Sequence, residues 1–543
     1  MTVRLAVWVA SFKNNSLRVR RAFWRSAYVV AVMYFVFLVA SFYVPGKRWT
    51  AFLRLGDKAS ARYVPDLRSA DVYFETDSYG YDAQQYVQLA LHPDPTDPVL
   101  NEAVDNLPYR TRRMLFSWLS WLLGAADPGR ILTVYSLINV ASWLGLALLL
   151  LRWFPPDGLQ NFIRWAGLLF SYGMWISVRS ALVDGPSLLL IAGGVALAER
   201  RRFVWSAVVL GVSGLAKETN ILAASIFFPP DGADKKAWGT MVLRGVLVLL
   251  PLAVWSGLVY HWLGGAGAAG ARNFGLPFAD FLAQWGRSAT TWASAPEKIS
   301  SWSDLFWMVG VSVQFLFLAL RPEWKKLWWR VGAAFALLMI VLGESVWEGQ
   351  PGAATRVLLP MALAFNVLVP RTRWWLLVLV LGNLTVFGLG ESLLLPKYDS
   401  VIMSGTRELL RENGTDRKVS IDFSEGWYQV ERSRQEYWRW TNGAAALTIS
   451  NPHQQTLRAD LSMDVRSFGE REVIVKSGEA ILWRGNVGKV PVHIFIQGLR
   501  IRPGEVLLRL DSDKPSVVPS LEDPRPIAFN VRNLKLMLRA LEP

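Results

Sequence analysis

Residues 21–44 read RAFWRSAYVVAVMYFVFLVASFYV, an apolar run long enough to cross a bilayer. A polar, irregular segment follows over 45–113, rich in Asp, Pro, Tyr and Arg. From there to about residue 395, apolar runs alternate with short basic breaks. The pattern predicts spans near 131–152, 160–178, 185–199, 203–217, 219–229, 238–261, 303–320, 327–345, 356–370 and 374–395. The pair 203–217 and 219–229 reads as two spans or as one helix broken at KET, and the parity of the later loops requires two. The run MLFSWLSWLLGA, 114–125, is too short to span and predicts a re-entrant or half-buried helix. The total is about eleven transmembrane helices.

After residue 418 the period changes. KVSIDF, AALTIS, EVIVKS, VHIFIQG, VLLRLD and IAFNV alternate apolar and polar positions between turn residues, which predicts an antiparallel, jelly-roll-like β-sandwich over 418–543. The expected order is an N-terminal tail (1–20), a helical membrane domain (21–395) with outward loops at 45–113 and 262–302, a helical linker (396–417) and the sandwich. The second loop opens on GGAGAAGARNFG and continues as an interfacial amphipathic piece carrying Trp285, Trp292 and Trp302.

Charge fixes the expected topology. Lys13, Arg18, Arg20, Arg21 and Arg25 precede or open the first span and place the N-terminus in the cytoplasm. Arg200, Arg201 and Arg202, then Lys235, Lys236 and Arg244, then Arg321, Lys325, Lys326 and Arg330, then Arg371 and Arg373 fall on the same side. The C-terminal domain is therefore expected outside. Composition agrees with a membrane protein: 52% of the 543 residues are hydrophobic and only 19% charged. The net charge of +15 is explained by these loops, and no basic, aromatic-interleaved motif points to nucleic acid. The absence of cysteine excludes disulfides and thiolate chemistry, and four scattered histidines argue against a His-rich metal site.

The candidate chemistry lies in FETDSYGYDAQQYVQLALHPD, 74–94. If 81–90 is helical, Asp82, Gln85 and Tyr86 share one face beside Tyr79 and Tyr81. A carboxylate there suits a general base acting on a hydroxyl, with Glu75 and Asp77 near it. The alternative is a solvated loop whose acids start a helix. Downstream, Arg110, Arg112 and Arg113 break the positive-inside trend. Guanidinium groups on that side suit a phosphate; snorkelling to lipid headgroups is the other reading. Lys217 and Glu218 form an ionisable pair at membrane depth, where such a pair is used or mutually paired.

These residues carry a resemblance. GYDAQQYVQLALHPDP followed by NLPYRTRRMLFSWLSWLLG resembles the first exported loop of bacterial GT-C superfamily glycosyltransferases. Ala83 stands where Gly is common, Gln85 where an aromatic is common, and Leu107 is inserted before Pro108. VDGPSLLLIAGGVALAERRR (183–202), GLAKETNIL (214–222) and GESVWEGQPGAATRVLLP (343–360) are similar to later motifs of that superfamily. The tail segments SEGWYQVERSRQEYWRWTNGAAALTI and EDPRPIAFNVRNLKL are similar to β-sandwich domains appended to some bacterial glycosyltransferases.

The resemblance implies a GT-C-like fold in a bacterial inner membrane. It implies sugar transfer from a polyprenyl-phosphate donor to a glycan, lipid or protein acceptor on the periplasmic or extracellular face. Asp82 takes the catalytic role. Asp77, Tyr81, Gln85, Tyr86, Arg110, Arg112, Arg113, Asp184, Lys217, Glu218, Glu348 and Arg356 are expected around the substrates. No cofactor is called for, and a divalent cation is left open. Trp427, Trp438 and Trp440 either stack on sugar rings or fill the sandwich core. A lipid-linked-glycan transporter and a non-catalytic polysaccharide-binding scaffold are the competing classes.

Overall fold

The computed structural model describes residues 2–75, 78–229, 234–347, 352–393, 395–396, 402–405, 419–432, 437–519 and 523–542. The chain divides into two compact units, one helical and made of residues 1–43 and 49–394, the other built mainly from 395–543.

In the helical unit, four helices are long and apolar enough to cross a membrane: Arg21–Ala40, Pro128–Leu150, Lys235–Leu263 and Ile299–Leu320. They mark a membrane protein. Lys235–Leu263 buries only Val248 and Val259, so nearly its whole circumference suits lipid. The other expected spans are shorter or broken among the described residues. The stretch 160–178 is two helices, Leu159–Leu169 and Tyr172–Arg179, because the Ser171 side chain caps the second at the Met174 N–H. The stretch 356–370 is Ala353–Val357 and then Leu359–Leu368, with Pro360 at the start of the second helix. The stretch 219–229 is a 3-10 helix, Glu218–Phe227. Apolar length alone therefore does not locate the breaks within these stretches.

The described residues of 49–113 are folded. Two short parallel strands, β1 (Leu55–Gly56) and β2 (Phe74–Glu75), pair there. Gly56 must be glycine, since a Cβ there would lie 2.2 Å from the Gly80 nitrogen. Beside them the helix Ala83–Leu91 packs on Leu115–Gly124 and Pro128–Leu150. Its glutamines are buried staples. Gln84 accepts from the Tyr63 hydroxyl at 2.6 Å and donates to the Tyr79 carbonyl at 2.9 Å. Gln88, fully buried, accepts from the Val64 N–H at 2.9 Å and donates to the Ala103 carbonyl at 2.8 Å. Burial pushes the Tyr63 hydroxyl up to about 12, so it remains a donor.

The second unit holds β3 (Ile402–Ser404), β4 (Ser420–Phe423), β5 (Glu431–Arg432), β6 (Tyr437–Trp440), β7 (Ala444–Asn451), β8 (Thr456–Ser467), β9 (Arg471–Ser477), β10 (Ala480–Val487), β11 (Val492–Ile501), β12 (Gly504–Ser512) and β13 (Phe529–Glu542). One sheet runs β10-β9-β12-β7-β4; the other runs β11-β8-β13-β6-β5, with β3 also on β13. Leu457, Ala459, Leu461, Met463 and Val465 of β8 alternate into a shared core with Val473, Val475, Leu508 and Leu510 of the other sheet. The expected helical linker needs correction: Ile402–Ser404 is a strand, parallel to β13, and Pro396 is also described, while 397–401 and 406–417 lie outside the described residues. Ile402 and Met403 are good strand formers, and β13 offers them a free stretch beyond its pairing with β6.

Candidate functional site

Several ionised side chains of the helical unit gather around Tyr81 and Asp82, at the start of helix Ala83–Leu91. Asp82 is the residue just before that helix. Its Oδ1 lies 3.0 Å from Arg110 Nη2, and its side chain is 38% exposed. Arg110 is also held by Asp105, with Nε donating to Oδ1 at 2.9 Å and Nη2 to Oδ2 at 2.7 Å. Burial works to raise the half-exposed Asp105 carboxyl, but the Arg110 hydrogen bonds and charge outweigh it and hold Asp105 below the ordinary carboxylate range. The first cluster is thus two carboxylates on one guanidinium.

Asp184 begins helix Asp184–Glu199 and centres a second cluster. Lys217 Nζ donates to its Oδ1 at 2.5 Å, and Arg356 Nη1 donates to its Oδ2 at 3.1 Å. All three side chains are at most 10% exposed. Two cations here share one carboxylate, leaving one positive charge in excess. A small pocket of about 10 Å³, room for about one water, adjoins the cluster, lined also by Ser187, Thr219 and Asn220. Ser187 Oγ, Thr219 Oγ1 and Arg356 Nε are buried there without hydrogen-bond partners among the described residues.

Tyr81 joins the two. Its hydroxyl accepts from Arg356 Nη2 at 2.9 Å, and the Arg54 and Arg356 guanidiniums stand over its ring at 5.3 and 5.8 Å. Arg54 in turn holds Glu75, which also pairs with Arg179 at 3.4 Å. Glu75 is therefore occupied as a structural counter-ion. Burial raises the hydroxyls of both Tyr81 and Tyr86 above the ordinary phenol range, against the pull of nearby arginines. Neither tyrosine ionises near neutrality, and Asp82 and Asp105 are the exposed carboxylates beside them.

Arg113 is a pillar. Its Nε donates to Glu218 at 2.8 Å, and its Nη1 and Nη2 donate to the Tyr86 and Tyr109 hydroxyls, each at 3.1 Å. Gln85 is 8% exposed and accepts from the Asp105 N–H at 3.1 Å, which fixes loop backbone. Arg112 is half-buried, and no ion pair engages it among the described residues. Asp77 and Glu348 lie outside the described residues. Asp105, Tyr109, Arg54 and Arg179 were not singled out from sequence. The spacing of Asp105 five residues before Arg110 is a local signal that could have found the first of these. Among the described residues no three His, Asp or Glu side chains are grouped to hold a metal ion.

The three tryptophans lie in the other unit and do not form one platform. Trp427 packs against the sandwich core and donates to the Ala446 carbonyl at 2.7 Å. Trp440 stacks on Phe468 with centroids 4.8 Å apart. Trp438 donates to Glu431 at 2.8 Å, and the Arg532 guanidinium stands 4.9 Å over its ring.

No family model matches this chain, and no curated protein does. Among solved structures, arabinosyltransferase EmbB from Mycobacterium smegmatis is similar, with 11% identity and a TM-score of 0.22. The match covers 83% of this chain and 62% of that one, so the chain spans less than two thirds of its neighbour. The likeness is faint, and the functional reading rests on the geometry of the two clusters.

Proposed function

We propose that this membrane protein is a glycosyltransferase that moves a sugar from a polyprenyl-phosphate donor to an acceptor hydroxyl on the exported face. One observation supports the reading above the others: Tyr81 stands between a half-exposed cluster with one negative charge in excess and a buried cluster with one positive charge in excess. Group transfer between a hydroxyl and a phosphate leaving group needs that polarity.

In the proposed step the acceptor oxygen attacks the anomeric carbon while the bond from that carbon to the phosphate oxygen breaks. The Asp82 carboxylate takes the hydroxyl proton. The leaving electron pair stays on the phosphate oxygen, whose growing charge Arg356 and Lys217 offset. This single displacement inverts the anomeric centre. Arg110 is shared by two carboxylates and Arg113 is matched by Glu218, whereas Lys217 and Arg356 share Asp184 alone, so the phosphate role passes to the Lys217–Arg356 pair. The N-terminus is cytoplasmic and the sandwich is exported in this reading. The acceptor is a glycan, a lipid or a protein.

The test is transfer from a panel of radiolabelled polyprenyl-phosphate sugars, with and without EDTA, by wild type and Asp82→Asn. Turnover by wild type that survives EDTA and falls roughly 100-fold or more in Asp82→Asn supports the proposal. Full turnover by Asp82→Asn overturns the base assignment. Silence of folded wild type toward every donor overturns the donor class.

A further inference from the structure

We infer that Asp105 is a positioning residue for Asp82, acting through Arg110; the inference rests on the reading of Asp82 as proton acceptor. Among the described residues, Arg110 supplies the one ion pair that Asp82 makes. An arginine side chain has many rotamers, and its presentation to Asp82 must be set by something else. Asp105 sets it. The two Asp105 oxygens take Nε and Nη2 in a fork that fixes the guanidinium plane. The Tyr86 and Tyr109 rings lie 5.5 and 5.7 Å from the same guanidinium. The Nη2 that meets Asp105 is also the nitrogen that reaches Asp82, so one nitrogen bridges the two carboxylates.

Asp105 is itself pinned. Its N–H donates to Gln85 on the helix that Asp82 begins, and its Oδ1 also accepts from the Asn106 N–H at 2.7 Å. Asp82, Arg110, Asp105 and Gln85 close a circuit around the start of that helix. The circuit has an electrostatic consequence. A carboxylate alone with a guanidinium is held as the anion and is a poor proton acceptor. A second carboxylate on the same guanidinium draws part of that charge away from Asp82. Tyr81, Tyr86, Tyr135 and Arg356 also act on Asp82 through space, and an Asp105 substitution leaves each of them in place.

The experiment compares full-length wild type, Asp82→Asn, Asp105→Asn and Asp105→Glu in transfer from a polyprenyl-phosphate sugar, reading kcat, donor KM and the pH–rate profile. Asp105→Asn is expected to lower kcat roughly 10-fold or more, leave donor KM unchanged and move the acid limb of the profile to lower pH, because Arg110 then serves Asp82 alone. Asp105→Glu keeps the charge, so the limb stays at the wild-type pH and part of kcat returns. An Asp105→Asn enzyme with wild-type kcat and limb overturns the inference. A loss of kcat with an unmoved limb and no rescue by Glu also overturns it, in favour of a purely structural residue. If Asp105→Asn does not fold, Asp105→Glu decides: a shifted limb despite the retained charge contradicts the inference. Wild type without transfer, or Asp82→Asn with full transfer, sinks the reading of the site itself and this inference with it.

Discussion

Two clusters of three ionised groups flank Tyr81, and they differ in sign and in burial. In Asp82–Arg110–Asp105 the side chains are 38%, 12% and 49% exposed; in Asp184–Lys217–Arg356 they are 4%, 10% and 10% exposed. The first is open to solvent, where the proposed acceptor would reach it. The second cannot leave its charges unpaired, because a buried ion without a partner is far more costly than one at the surface. The same three-charge arithmetic therefore serves two ends. In the proposed reading it tunes a reactive group at the surface and keeps cations in place for an anion in the interior.

The sharpest way to break this contrast is to remove the shared anion of the buried cluster. Asp184→Asn leaves Lys217 and Arg356 facing each other and is expected to destabilise the protein by about 3–5 kcal/mol, read as a fall in the thermal midpoint in detergent. A midpoint unchanged from wild type would show that water already screens the cluster. The matched change outside, Asp82→Asn, is expected to lower turnover by roughly 100-fold, about 2.7 kcal/mol of barrier, with the thermal midpoint unchanged. A midpoint that falls along with turnover would erase the distinction between the clusters.

A smaller effect tests the frame that carries the outer cluster. Gln88→Leu orphans the Val64 N–H and the Ala103 carbonyl and is expected to cost about 1–3 kcal/mol of stability. The smallest effect is in pH. Asp105 is held below the ordinary carboxylate range, so its pairing with Arg110 contributes fully above the unfolded value of about 3.9 and is lost as pH falls through the lower folded value. Asp105→Asn should flatten the acid side of the stability profile in that window, checked by thermal unfolding from about pH 5 downward.

The β-sandwich was legible because its signal is local. The alternation of Leu457, Ala459, Leu461, Met463 and Val465 states which face of β8 is buried, whatever lies opposite. The shared face of Asp82, Gln85 and Tyr86 is conditional on a helix over 81–90, and the structure supplies helix Ala83–Leu91 there. Continuous spans were less legible. The breaks at Ser171 and Pro360 depend on capping and on local backbone that hydropathy averages away. Partners were least legible. Gln85 reads as a substrate contact because it shares a face with Asp82 in the same motif, yet the fold buries it against the Asp105 backbone. Arg113 reads as a free phosphate ligand until Glu218, 105 positions away, is brought to it. Trp427 and Trp440 read equally as platforms or as core, and the sandwich's own packing takes them up.

The central claim is a division of labour: the buried cluster holds the donor phosphate and the half-exposed one takes the proton. The most direct measurement is equilibrium binding of a radiolabelled polyprenyl-phosphate sugar, alongside single-turnover transfer, for wild type, Asp82→Asn and Arg356→Gln. The account predicts that Asp82→Asn binds donor like wild type but does not transfer it, and that Arg356→Gln, still folded, loses roughly 10-fold or more in donor affinity. Undiminished donor binding by folded Arg356→Gln, or donor binding lost in Asp82→Asn, would contradict it.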